Sequence, residues 1–361
     1  MMNENRGSRI REGLYSRIGA TRRFTTDLLK DSNWQKLFAV TVFVFALMTA
    51  LRPKLFFTPQ NFTSMMFQVP ELGILAVAMA FVIISGGIDL SIVATANISA
   101  IVTAFIMTDA LRRGVSGPMM SMLVLAVFLL GACIGMICGI FNGYIISRFN
   151  IAPMLATLGS MYLYTGIGVL ITQGKSISGM PSEMLYMGTG YFLKIPVPMW
   201  MLTIVLLIAT IILNRTKYGI ELRMVGSNST AAKFSGIRNS RVIMSTYVLS
   251  GILAGIIGVE FLSRTNSAKA DFGSSYLLQA ILCALLGGVH PDGGSGKISG
   301  VILALASLQF LASGFNMLRM SAYFKDFVWG LLLLIVMTLH FISNNRSMRK
   351  SVPQGGAVKN D

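Results

Sequence analysis

Charge is scarce in this chain. Only 12% of its 361 residues are Asp, Glu, Lys or Arg, against about 25% in a typical soluble domain. Acids are the rarer sign, 14 against 30 bases. Imidazoles and thiols are almost missing: His290 and His340 are the only histidines, and Cys133, Cys138 and Cys283 the only cysteines. The cysteines lie in apolar stretches at spacings that fit neither a metal site nor a redox pair, so they read as packing residues. Neither histidine has an acid or nucleophile partner by spacing, which leaves hydrolysis without a constellation. A phosphate loop is missing as well. Gly293-Gly294-Ser295-Gly296-Lys297 comes nearest, but Ile298 stands where Ser or Thr would hold magnesium and Pro291 where the leading glycine belongs. Bound metal, and ATP hydrolysis by this chain itself, are not expected.

What is abundant is apolar surface. Hydrophobic residues make up 54% of the chain and the mean hydropathy is +0.68. Runs of about twenty apolar residues recur, each long enough to cross a bilayer, whereas a β-barrel would show short alternating segments. The expected fold class is all-α: a polytopic membrane protein of about ten transmembrane helices. The spans are read at Trp34 to Leu51, Phe67 to Ser85, Ile88 to Met107, Pro118 to Phe141 and Pro153 to Thr172. Pro198 to Leu213, Val242 to Ser263, Ser275 to Val289, Ile298 to Ser313 and Ala322 to Ser343 complete the set.

The formal charge of +16 suits a nucleic-acid binder in principle, but the bases sit beside the spans. Membrane orientation explains them more economically, and no nucleic acid is expected as a partner. Placing the N-terminus inside puts the main basic clusters inside. These are the arm at 1–33, the 215–241 loop and the tail at 344–361, around a transmembrane domain at 34–343. Arg52 and Lys54, Arg112 and Arg113, and Arg264 and Lys269 fall outside as exceptions. The arm has no small-residue cleavage pattern before the first apolar run and reads as a basic tail, not a signal peptide. Leu14, Ile18, Leu28 and Leu29 offer the alternative of a weakly apolar face lying on the membrane.

Gly131, Gly135, Gly139 and Gly143 recur every fourth residue, and Gly251 and Gly255 repeat the spacing. Such faces let helix backbones approach closely; generic packing is the main reading and a homodimer seam the minor one. Two helices end in paired glycines before a polar turn, at Gly86-Gly87-Ile88-Asp89-Leu90-Ser91 and at Gly287-Gly288-Val289-His290. They hint at related halves, but similarity beyond the glycines is slight. Among the acids in or near the spans (Glu71, Asp89, Asp109, Glu260), Asp89 is the best functional candidate. It reads as a helix cap together with Ser91, or as a gate at a discontinuous helix. Asn97, with Thr95 and Ser99, either glues helices or lines a polar path.

The stretch from Arg215 to Arg241 is the longest basic interruption. Arg215, Lys217, Arg223, Lys233, Arg238 and Arg241 face one acid, Glu221, while Ala231, Ala232, Phe234 and Ile237 follow at near-helical spacing. A short amphipathic helix of about Val225 to Ile237 is expected there, on the inner face, where a partner would dock. Here the chain resembles the permease subunit of bacterial sugar ABC importers of the ribose, galactose and autoinducer-2 type. Gly86-Gly87-Ile88-Asp89-Leu90-Ser91 looks like that family's signature. Lys217-Tyr218-Gly219, Val225-Gly226-Ser227-Asn228 and Ala231-Ala232-Lys233-Phe234-Ser235-Gly236-Ile237 resemble its coupling loop. Leu286-Gly287-Gly288-Val289 with Gly293-Gly294 resembles its late glycine loop. The likeness runs from about Trp34 to Ser343.

The resemblance implies a second permease copy, a cytoplasmic ABC ATPase that holds ATP and magnesium, a periplasmic sugar-binding protein and a small sugar as substrate, in the bacterial inner membrane; the placement of the basic clusters puts both termini in the cytoplasm. It implies ATPase coupling at Gly219, Gly226, Asn228, Ala231, Ala232, Ser235 and Gly236. It implies a substrate path or gate at Gly86, Gly87, Asp89, Ser91, Asn97, Gly287 and Gly288. Departures are Thr230 where the family has an acid, Gln279 before the late loop, and Asp292 in place of a hydroxyl residue. A nucleoside or autoinducer-2-like substrate stays open. So does an ion-coupled secondary transporter resting on Asp89, Glu71 or Glu260, although these acids are sparse and unpaired by spacing. A membrane enzyme lacks a constellation, and a scaffold stands as the remaining alternative.

Overall fold

The computed structural model describes residues 32–351, so the question of a membrane-lying face at Leu14 to Leu29 lies outside it. In chain order, α1 (Ser32–Leu51) is followed by the single turn α2 (Pro53–Phe56), α3 (Pro59–Ile84), α4 (Ile92–Arg112), α5 (Pro118–Phe149) and α6 (Pro153–Thr172). A small extramembrane group comes next: β1 (Ile177–Ser178), α7 (Ser182–Thr189), β2 (Tyr191–Phe192) and β3 (Ile195–Pro196). Then α8 (Val197–Arg215) leads to α9 (Lys217–Ser227), α10 (Ser229–Phe234) and α11 (Asn239–Thr265). The chain closes with β4 (Ser267–Ala268), α12 (Ser275–Leu286), α13 (Ile298–Met317) and α14 (Ala322–Ser351). Strand β1 pairs antiparallel with β4, and β2 with β3.

The all-α polytopic fold is what the apolar runs require. Among the described residues, nine helices are long and apolar enough to cross a bilayer: α1, α3, α4, α5, α6, α8, α11, α13 and α14. The span expected at Ser275 to Val289 is not one membrane-length helix. Helix α12 has 12 residues, about 18 Å against a core of about 30 Å, and the irregular segment before it shares that crossing. Helix α3 also starts earlier than expected, at Pro59 instead of Phe67. The Thr58 side chain accepts the Asn61 amide at 3.3 Å, and proline suits the first helical position. The single amphipathic helix expected near Val225 to Ile237 is two helices. Asn228 divides them, its Oδ1 accepting the Ala231 amide at 2.9 Å to start α10.

The glycine stripes meet each other within the chain. A methyl group on Gly135 would strike the Gly251 carbonyl, one on Gly255 the Gly131 carbonyl, and one on Gly139 the Tyr247 carbonyl. The stripe of α5 is therefore filled by α11, the generic packing reading, and this face is not free to form a dimer seam. Ser99 of α4 ties into the same seam, donating to the Gly255 carbonyl at 2.9 Å. Helices α3, α4 and α11 form the buried centre, while α1, α6, α8 and α14 expose most of their apolar side chains at the rim.

Candidate functional site

The first glycine turn is buried and held by side chains. Asp89 Oδ1 accepts the Ser91 amide at 3.0 Å and the Ser91 hydroxyl at 2.7 Å, and Oδ2 accepts the Ser250 hydroxyl at 3.1 Å. Asn142 Nδ2 donates to Ser91 Oγ at 2.8 Å. Thr157 Oγ1 accepts the Leu90 amide at 3.1 Å and donates to the Ile88 carbonyl at 3.1 Å. Asp89 is thus not an ordinary cap of α4. It braces the cap residue Ser91 and joins it to α11, while α5 and α6 grip the same turn through Asn142 and Thr157. Ser250 lies roughly 17 Å along α11 from Asn239, so the turn sits well inside the bundle. A carboxylate there is tolerable because every oxygen has a donor.

The second glycine turn lies at the end of the short helix α12. Gly287 packs on α13, where an added methyl carbon would come within 2.7 Å of the Val301 backbone. Gly287 and Gly288 line a cleft of about 220 Å³ together with Trp34, Leu37 and Ser299. Beyond it, the Gly294 amide donates to the Ile84 carbonyl at 2.9 Å, joining the second turn to the end of α3.

The basic loop docks on both turns. A side chain at Gly226 would collide with the Ile84 carbonyl and lie 2.7 Å from the Gly294 amide nitrogen. The Gly86 Cβ position is 3.8 Å from the Gly226 backbone. Gly86, Gly226, Gly293 and Gly294 therefore form one backbone junction, which larger side chains would force apart. Gly219 is equally tight: a methyl there would strike the Leu213 carbonyl, so α9 can fold sharply off α8. Tyr218 anchors α9 to α11 through Thr246 Oγ1 at 2.8 Å, and burial pushes its phenol up to about 12. Ala232 is buried, whereas Asn228, Ala231, Ser235 and Gly236 are exposed. The expected coupling residues thus divide between an inward set (Gly219, Gly226, Ala232) and an outward one. Phe234 tops the outward set at 89% exposure, beside the exposed Lys233.

Asn97 joins neither turn. Its Nδ2 donates to the Ala270 and Phe272 carbonyls, both at 3.0 Å, holding the irregular segment that precedes α12. Backbone of that kind is tolerated in a membrane only when protein satisfies it.

A third group was not assembled from sequence. Glu71 of α3 is fully buried and receives the Arg264 guanidinium, with Arg264 Nη2 at 2.6 Å from Oε2, and the Tyr276 hydroxyl. Glu71 is therefore paired, although it is unpaired by spacing: its partners lie about 190 and about 200 residues along the chain. Two more bases outside the expected pattern are paired, Arg113 with Asp109 at 2.8 Å and Lys269 with Asp271 at 3.0 Å. Ser250 and Asn142 had a signal that went unused: each is a polar residue beside a stripe glycine, at Gly251 and Gly143. The histidines do come together, with ring centroids 6.4 Å apart, but no group of three or more metal-ligating side chains exists among the described residues.

A family profile described as "Branched-chain amino acid transport system / permease component" matches residues 61–337. The chain is 32% identical to the ribose import permease protein of Bacillus subtilis (strain 168) over 300 residues, 82% of this chain and 90% of the relative. Against the ribose import permease protein of Escherichia coli (strain K12) it is 30% identical over 322 residues, 88% of this chain and 96% of the relative. An autoinducer 2 import system permease protein of Photorhabdus temperata is 32% identical over 281 residues, 76% of this chain and 81% of the relative. No solved structure matches. The match covers both glycine turns and the loop that joins them, and the chain belongs to this family of multi-pass transport permeases.

Proposed function

We propose that this chain is the membrane-spanning subunit of an ATP-driven importer for a small carbohydrate, a pentose, a hexose or a related sugar. It works in the bacterial inner membrane with both termini in the cytoplasm. A separate cytoplasmic ATPase holds ATP and magnesium, a periplasmic binding protein delivers the sugar to the opposite face, and a second permease copy completes the pathway. The relatives that import ribose and autoinducer 2 support the sugar reading over the amino acids named in the family description.

The observation that carries this is the two-sidedness of the 215–241 loop. Its inward Gly226 is locked to both helix breaks and Gly219 to the end of α8, while Phe234, Ile220 and Met224 present apolar surface to the aqueous side among lysines. An exposed phenylalanine on a short rigid helix is the kind of anchor that fills a partner's pocket. ATP-driven closure of that partner would push α9 and α10, and Gly226 would pass the push to Ile84 and Gly294. Two packed arrangements of the breaks then alternate access.

The test is sugar uptake into proteoliposomes holding this chain, its ATPase and its binding protein. Uptake is expected only with all three and ATP. Uptake by the permease alone, driven by a proton or sodium gradient, would replace the reading with an ion-coupled carrier.

A further inference from the structure

Glu260 stands apart in the bundle interior. It lies on α11, has 0% exposure, and neither carboxyl oxygen has a hydrogen-bond partner. An unpaired carboxyl group in such a place is unfavourable in either protonation state. Four residues further along the same helix is Arg264, whose guanidinium is engaged with Glu71 of α3. Acid before base at that spacing is the favourable order for an ion pair within a helix. Two carboxyls therefore compete for one guanidinium, one on its own helix and one across to α3. The competition is uneven in a useful way. If Arg264 leaves, Glu71 keeps the Tyr276 hydroxyl, whereas Glu260 in the present arrangement has no donor at all.

We infer that Glu260 is the second seat of Arg264 during transport, a positioning residue that exchanges partners with Glu71. In the arrangement seen here the guanidinium ties α11 to α3. In the other, it turns onto Glu260 and releases α3 and α12 from α11. These are the helices that matter for coupling. The far end of α3 is the Gly86 turn, α12 carries Tyr276 in its first turn and is capped by Gly287, and the 215–241 loop joins the two through Ile84, Gly226 and Gly294. A guanidinium with two discrete seats gives that pair of helices two stable positions, which alternating access requires.

The inference rests on the importer reading above, and wild-type uptake in the reconstituted assembly is its control. Glu71→Gln and Glu260→Gln keep side-chain shape and are compared for uptake and for basal and binding-protein-stimulated ATPase rates. Glu260→Gln holds Arg264 on Glu71: uptake and stimulated ATPase fall at least tenfold, basal ATPase does not rise, and melting in detergent stays at the wild-type value. Glu71→Gln sends Arg264 to Glu260: basal ATPase rises severalfold and stimulation falls towards one. Loss of a merely structural contact would not raise basal ATPase in one variant and leave it unraised in the other. Wild-type uptake by Glu260→Gln, its failure to accumulate as a monodisperse protein, or basal rates shifted the same way in both variants would each overturn the exchange. If Glu71→Gln fails to fold, the Glu260→Gln result decides alone. Absence of ATP-driven uptake by the wild-type assembly overturns the importer reading instead, and this inference with it.

Discussion

At the end of α3 the first glycine of the pair, Gly86, takes φ +87°, whereas at the end of α12 it is the second, Gly288, at φ +82°. The hydrogen bonds are otherwise alike. Gly86 donates to Ile83 at 2.9 Å and Gly87 to Val82 at 3.1 Å; Gly288 donates to Leu285 at 3.0 Å and Val289 to Ala284 at 3.1 Å. Both are the same left-handed helix stop, with a 6→1 and a 5→2 bond. Structurally Gly86 corresponds to Gly288 and Gly87 to Val289, one residue out of step with the matching letters. The glycine left over in each pair serves packing: Gly87 against Tyr247 and Pro153, Gly287 against Val301. The surroundings differ more. The first turn is buried under a carboxylate, three hydroxyls and an amide, while the second meets the loop mainly through backbone, with Arg223 Nη2 3.5 Å from the Gly296 carbonyl. One stop signal thus serves a turn fixed by side chains and a turn held mainly by backbone.

The junction between the turns gives the largest expected effect. Gly226→Val drives a branched side chain into the Ile84 carbonyl, which has no room to yield. Uptake per molecule in the membrane should fall at least about tenfold, in line with overpacking of ~1–3 kcal/mol or more. Radiolabelled sugar uptake normalised to membrane abundance measures it; wild-type uptake would remove the junction from the mechanism.

Alanine scanning of the four paired glycines comes next. Gly287→Ala should destabilise more than Gly288→Ala, because the first meets backbone and the second meets only an unfavourable φ, about 1–2 kcal/mol. Gly87→Ala should be partly repaired by Tyr247→Phe, since the tyrosine hydroxyl is its nearest obstacle at 2.6 Å. Thermal unfolding in detergent ranks all four, and equal losses at Gly287 and Gly288 would break the one-residue offset.

Asp89 sharpens the contrast between the two turns. Asp89→Asn keeps an acceptor for Ser91 and should retain most of the stability, whereas Asp89→Ala strands Ser91 and Ser250 and should lose about 1–3 kcal/mol. An equal loss in both would mean that the charge, not hydrogen bonding, holds the turn. The smallest effect on stability is expected at the loop surface. Phe234→Ala should leave melting unchanged, because the ring touches little of this chain, yet weaken co-purification of the ATPase several-fold.

Much of this was legible from the residues. Apolar runs marked the spans, basic residues marked the loop, and the every-fourth glycines marked a close helix seam, because each property is local and periodic. Helix α12 was misread as a full span because Val289 extends its apolar letters past the Gly287-Gly288 stop. The loop was misread as one helix because Asn228 looks like any polar residue until its side chain is seen capping α10. The Asp89 turn was half legible. The aspartate stood out, but Ser250, Asn142 and Thr157, which hold it and the rest of the turn, come from three other helices.

The sequence alone determined that the chain crosses a membrane many times, where its helices break, and which loop is basic. These follow from side-chain hydrophobicity and from backbone limits set residue by residue. Only the tertiary structure decided that the stripe of α5 is filled by α11 and that Gly226 closes on both breaks. It also decided that Arg264 chooses Glu71 over Glu260. Those contacts join residues from about 70 to about 190 positions apart in the chain, and no local pattern reports which distant backbone or charge will arrive to meet them.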